Sequence, residues 1–135
     1  MSRINSMTGG GRETGAYDSD LWGHRYVSSS VTENGRPRFL VGGTRITLWF
    51  VDETRRLSAH AGGNTVMFEV DADSGVLKTR SPFCTVLSYP RELTDQDTWL
   101  TEFLLLAPAW TTTEGTLILT DGRIRIELQQ TADCP

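Results

Sequence analysis

Cysteine, histidine and proline are scarce: the chain of 135 residues holds two Cys, two His and five Pro. Two cysteines exclude a disulfide scaffold, and at this length folding buries roughly two thirds of the unfolded chain's surface, enough for a core without staples. His24, His60 and Cys84 lie far apart, with no CxxC or HxxxH spacing, so no metal site is expected. No stretch approaches the ~18 consecutive apolar residues of a membrane helix, and residues 1–15 lack the apolar segment of an export signal. Charge of one sign is not concentrated anywhere. Thirteen basic and 17 acidic residues give a net charge of −4 without a run of like sign, which argues against a nucleic-acid or anionic-membrane partner. Neither Gly9-Gly10-Gly11 nor Gly42-Gly43 is followed by the Lys-Ser/Thr pair of a phosphate loop. No cofactor is expected.

What the chain does have is ordinary globular composition, 38 % apolar and 22 % charged, within the usual size of one domain. Residues 1–19, rich in Gly and Ser, read as a flexible tail, residues 20–130 as the domain and residues 131–135 as a short C-terminal tail. Within the domain, short runs of β-branched and aromatic residues alternate with turn signals, the pattern of an antiparallel sheet or barrel. A strand over 26–31 leads into Asn34-Gly35, a pair suited to a tight hairpin turn. A long strand over 43–52 carries Ile46, Leu48 and Phe50 on one face and Thr47, Trp49 and Val51 on the other, which predicts a central strand covered on both sides. Further strands are expected over 57–61, 66–70 and 76–78, and the clearest hairpin joins 116–120 to 124–128 through Asp121-Gly122. Asp71-Ala72-Asp73-Ser74-Gly75 looks like the start of a calcium loop, but its Gly comes one residue early and no Glu closes it, so it reads as a turn.

One segment breaks the strand period. Between 93 and 106, Trp99, Leu100, Phe103 and Leu104 recur at helical spacing. Thr94 serves as the cap, Asp95 and Asp97 suit the helix dipole in the first turn, and Pro108 follows the end. The expected fold is therefore α+β: a curved, barrel-like antiparallel sheet of about eight strands with one amphipathic helix across it. Trp22, Trp49, Trp99 and Trp110 are expected in the core or at its edge.

Four blocks in order carry a resemblance to a known family. They are Leu57-Ser58-Ala59-His60-Ala61-Gly62-Gly63-Asn64-Thr65, residues 79–84, Gln96-Asp97-Thr98-Trp99-Leu100-Thr101-Glu102-Phe103-Leu104 with Pro108, and Thr116-Leu117-Ile118-Leu119-Thr120. Together they resemble the META domain family, which includes the heat-shock protein HslJ. The resemblance implies a curved antiparallel sheet with one helix, no established enzymatic reaction, and a stress or cell-envelope context, exported or lipid-anchored in many members. The family's usual Gly-Cys-Asn is Gly62-Gly63-Asn64 here, so its first cysteine is missing while Cys84 stands at the second. A paired-thiol role between those positions cannot operate. Ala59 and Val66 stand where the family has Gly and an aromatic.

The residues themselves point to two classes of function and leave both open. A non-catalytic module would bind a protein or small-molecule partner on a rim of the sheet, with His60, Gly62, Gly63, Asn64, Arg80 and Cys84 as candidates. An enzyme would use Cys84 as nucleophile and His60 as base, although no protease or Gly-x-Ser-x-Gly signature accompanies them. A purely structural module is the third option. The protein is expected to be a monomer, in the cell envelope or secreted by family resemblance and cytoplasmic if this chain is complete. Cys84 is expected as a buried thiol between sheet and helix and Cys134 as an exposed one, without a bridge between them. Since residues 1–19 offer little to bury apart from Ile4 and Tyr17, truncation up to Gly15 is expected to leave the melting temperature nearly unchanged. A thermal melt of the truncated chain checks this, and a loss of many degrees would show that the segment docks.

Overall fold

A computed structural model describes residues 21–84 and 89–131. The expectations for residues 1–19, for 132–135 and for Cys134 fall outside them. The strands are β1 (Arg25–Glu33), β2 (Arg36–Pro37), β3 (Thr47–Val51), β4 (Arg56–His60), β5 (Thr65–Asp71) and β6 (Lys78–Cys84), then β7 (Ala109–Thr113), β8 (Thr116–Thr120) and β9 (Ile124–Thr131). Between β6 and β7 runs the single described helix, α1 (Arg91–Leu105). All pairings are antiparallel, in the order β6-β5-β4-β3-β1-β9-β8-β7, with the short β2 on β1 alone. The α+β reading holds, and β9 extends through Thr131, which had been assigned to the C-terminal tail.

The sheet curls until its two ends nearly meet. Val76 bridges Ala109, the Leu77 amide donates to the Pro108 carbonyl at 2.8 Å, and the Trp110 amide donates to that of Gly75 at 3.0 Å. Trp110 also sends its indole Nε1–H to the Ala72 carbonyl at 3.3 Å, so one buried aromatic both fills the core and fastens the closure. Val76 is thus a single bridge at the closure; the third strand of the group, expected over 76–78, starts at Lys78 and continues to Cys84.

Alternation explains most of the inner face. Leu48 and Phe50 of β3, Leu57 and Ala59 of β4, Val66, Phe68 and Val70 of β5, and Leu117 and Leu119 of β8 are all buried. The outer face of β3 is not covered as expected: Trp49 is 42 % exposed, with the Arg25 guanidinium 4.6 Å from its ring centre. The one helix among the described residues lies against the inner face, so hydrophobic residues on both sides of β3 did not mean two covering layers. Among the tryptophans, Trp110 is fully buried while Trp22 and Trp99 are half-buried at the core edge.

Two hairpin turns follow their sequence signals. Asn34 and Gly35 both have positive φ, 53° and 79°, as the expected tight turn requires. At the β8–β9 turn the Asp121 carboxylate accepts the amides of Arg123 at 2.9 Å and Ile124 at 2.7 Å. Burial pushes the Asp121 carboxyl upward, but those two amides and the Arg123 charge outweigh it and hold it below the usual carboxylate value.

The helix starts two residues before the expected segment. Pro90 occupies the N-cap position without a side-chain cap bond, Glu92 is the acidic residue of the first turn, and Thr94 lies inside the helix rather than capping it. Its buried face is Gln96, Asp97, Leu100, Phe103 and Leu104, with Trp99 half-buried beside them. Phe103 is 1 % exposed, so Phe103→Ala should cost about 3 to 5 kcal/mol, whereas Thr101→Ala should cost little. Urea denaturation of the two variants checks the assignment, and equal losses would mean that another face is buried.

Candidate functional site

Two polar residues on the buried face of α1 hold two loops of the sheet. The Gln96 side chain accepts the Val41 amide at 2.8 Å and donates to the Ala61 carbonyl at 2.6 Å and to Thr44 Oγ1 at 3.0 Å. Thr44 Oγ1 in turn donates to the Val41 carbonyl at 2.6 Å. Asp97 Oδ2 accepts the Asn64 amide at 2.7 Å, while its Oδ1 is buried without a hydrogen-bond partner. The β4–β5 turn is shaped to receive these groups. Gly62 has φ +98°, and a Cβ there would approach Thr44 Cγ2 to 2.6 Å. At Gly63 a Cβ would overlap the Asp97 carboxylate.

The second feature is a groove of about 570 Å³ between residues 38–45 and the middle of β1. A β-bulge lies along one wall of it. β1 pairs with β9 up to Ser28 opposite Leu128 and resumes with Ser30 opposite Glu127, so the extra residue Ser29 moves Val31, rather than Ser30, to the inner face. β1 pairs with β3 only from Arg25 to Val27. Beyond that, the Ser28 amide donates to the Ile46 carbonyl at 2.8 Å while Ser28 Oγ accepts the Ile46 amide at 3.0 Å, so the hydroxyl replaces the second backbone bond of the pair. The strands diverge into a wedge walled by the loop that Gln96 holds. Ser28, Ser29 and Ser30, the Gly42-Gly43 backbone and Phe39, 89 % exposed, line it. Arg38 is fixed at one end by Glu33 at 2.9 Å and by the Trp99 ring, 4.4 Å away.

The structure gathers only part of the rim proposed from sequence. His60, Gly62, Gly63 and Asn64 lie in one turn, with Gly62 N donating to His60 Nδ1 at 3.3 Å. Cys84 reaches the same end of the sheet opposite Val66, but Arg80 lies farther along β6 opposite Glu69, pairing with it at 3.2 Å. Cys84 is also exposed and not buried between sheet and helix, because it is the last residue of β6, an edge strand of the sheet. His60 and Cys84 project to opposite faces. His60 is aligned with Thr65 on the outer face, whereas Cys84 is aligned with the inward Val66, and β5 stands between them.

Comparison with known proteins now gives the chain a place. Residues 19–133 match the META domain. The chain belongs to the META domain family. No curated protein matches it. The META fold is shared with two solved NMR structures. One is of a protein from Burkholderia xenovorans, with TM-score 0.70, 16 % identity, 98 % of this chain and 100 % of that chain covered. The other has TM-score 0.60, 19 % identity, and covers 82 % and 92 % of the two chains. At such identities the likeness is one of fold.

In this META domain the glycine at the family's cysteine position leaves the Cβ position to the Asp97 carboxylate. Asp97 serves the β4–β5 turn rather than only the helix dipole, and Gln96 ties down the loops beside it. Their signal was present in their spacing, since positions 96 and 97 precede Leu100, Phe103 and Leu104 on one helical face. Polar residues on an apolar stripe must find buried partners. Nothing in the periodicity marked residues 38–45. Gly63→Ala should cost about 1 to 3 kcal/mol by crowding Asp97, and much less in an Asp97→Ala background. A double-mutant cycle by chemical denaturation checks this, and an undiminished cost would place the obstruction elsewhere.

Proposed function

We propose that this META domain is a non-catalytic binding module, HslJ-like in its role, that takes a small polar ligand in the groove between residues 38–45 and the bulged β1. The observation that supports it is the groove itself, whose about 570 Å³ is the size of a small-molecule site. Serine hydroxyls and glycine backbone supply donors and acceptors, Phe39 supplies an aromatic surface, and Arg45 supplies a cation for an anionic group. A cysteine enzyme using Cys84 and His60 is the weaker reading, because the two side chains lie on opposite faces of the sheet with β5 between their strands, and a base must come within hydrogen-bond reach of its nucleophile. The stress or cell-envelope context, with an envelope or secreted location, rests on the family resemblance. A monomer needs nothing further to complete the groove, since one chain supplies both of its walls.

A fragment screen followed by amide chemical shifts tests the site. Binders are expected to shift Ser29, Ser30, Gly42 and Gly43, and Ser30→Trp, which fills the groove, is expected to abolish those shifts while preserving the rest of the spectrum. Shifts gathered around His60 and Cys84 instead would overturn the assignment.

A further inference from the structure

The strand register draws a second surface on the outer face, independent of the groove. Arg25 is opposite Trp49, Trp49 opposite Ser58, Ser58 opposite Met67, and Met67 opposite Phe83. Residues directly opposed in a ladder share a face, so Trp49, Ser58, Met67 and Phe83 form one row, about 14 Å long at ~4.8 Å per strand. Trp49 is 42 % exposed and Phe83 70 %, two of the few large apolar side chains that the described residues show to solvent. Ser58, small between Trp49 and Met67, leaves a dip in the row. The helix lies on the other face of the sheet and covers none of it.

Beside this row runs a charged one, with Arg56 opposite Glu69 and Glu69 opposite Arg80. Arg80 engages Glu69 at 3.2 Å, and Arg56 has no ion-pair partner among the described residues. Asp71 opposite Lys78 continues this face, so with Arg25 at the end of the apolar row four cations share it with two carboxylates, in a chain whose net charge is −4. Between the two rows, Phe68 is opposed by both Ser81 and Pro82, a bulge where Ser81 has φ 55°. The flare opens a dent of about 220 Å³ lined by Met67, Phe68, Ser81 and Phe83, with Arg56 and the Arg80-paired Glu69 at its charged side. The same bulge and Pro82 blunt β6 as an edge for strand addition, so a partner is received on the face and not on the edge.

We propose that the outer face of β3 to β6 is a docking surface for a partner protein, whose segment presents an apolar side chain flanked by carboxylates. The apolar side chain seats in the dent against Met67 and Phe83, and the carboxylates meet Arg56 and Arg25. Local positive charge makes this face selective for acidic segments over basic ones.

The test uses the whole chain, labelled with nitrogen-15, and two capped peptides: one phenylalanine flanked by glutamates, and its counterpart flanked by lysines. The glutamate peptide is expected to shift the Trp49 indole and the Met67 and Phe83 amides, and the lysine peptide to leave them in place. Phe83→Ala, which removes an exposed side chain, and the charge reversal Arg56→Glu are each expected to weaken binding about tenfold. The groove variant Ser30→Trp should leave binding unchanged, which separates failure here from failure of the groove. Absence of shifts at millimolar peptide, an equal response to both peptides, shifts confined to residues 38–45, or self-association of the chain through Phe83 would each overturn the proposal.

Discussion

Gln96 is the constraint on which the site depends. A buried primary amide has to be satisfied at both ends, and this one spends its oxygen on the Val41 amide and its nitrogen on Ala61 and Thr44. Those partners belong to two loops far apart in sequence, so a single helical side chain sets both the wall of the groove and the turn that carries the family-like Gly-Gly-Asn. Asp97 repeats the arrangement one position later with the Asn64 amide. The requirement for glycine at position 63 follows from that carboxylate, since the space of a Cβ is already taken.

The curl of the sheet is the second constraint, and it has a different cause. A strongly twisted antiparallel sheet buries one face by wrapping it round a core, and its ends then have to be joined or blunted. Here Trp110, the 75–77 segment and Pro108 join them at one point. Elsewhere the edge is blunted by Pro82 and a bulge in β6. The two bulges are also where the two candidate surfaces open. The one at Ser29, in the β1–β9 ladder, lines the groove beside the point where β1 and β3 part, and the one opposite Phe68 lies at the dent beside Phe83. In both places an extra residue breaks the ladder beside a concavity of the surface.

The family resemblance and the geometry divide the work. The blocks shared with META domains at 60–65 and 96–104 fall on the packing joint between helix and sheet, where they keep the loops in place. The two proposed surfaces take residues 38–45, Trp49 and Met67 from outside the four blocks of the resemblance, and Ser58 and Phe83 from within them. A fold can be common to a family while the recognition sites vary on it.

Alternation and turn chemistry made most of the fold legible in the residues themselves. Ile46, Leu48 and Phe50 declared one buried face, Asn34-Gly35 and Asp121-Gly122 declared hairpins, and the spacing of Leu100, Phe103 and Leu104 declared the helix, because strand and helix periods are local properties of the chain. What the residues did not show was anything that depends on which neighbour lies opposite. Cys84 looked like a core thiol and proved exposed, His60 and Cys84 looked like partners and proved to face apart, and Trp49 looked covered and proved half open. A bulge shifts the inward set by one residue without any change in local composition, so the run of serines could not say where the ladder would slip. Sequence determined most of the elements and their hydrophobic faces, but not β7 or the extent of β6. Tertiary pairing decided which side chains meet, because contacts between residues distant in the chain arise only from register and closure.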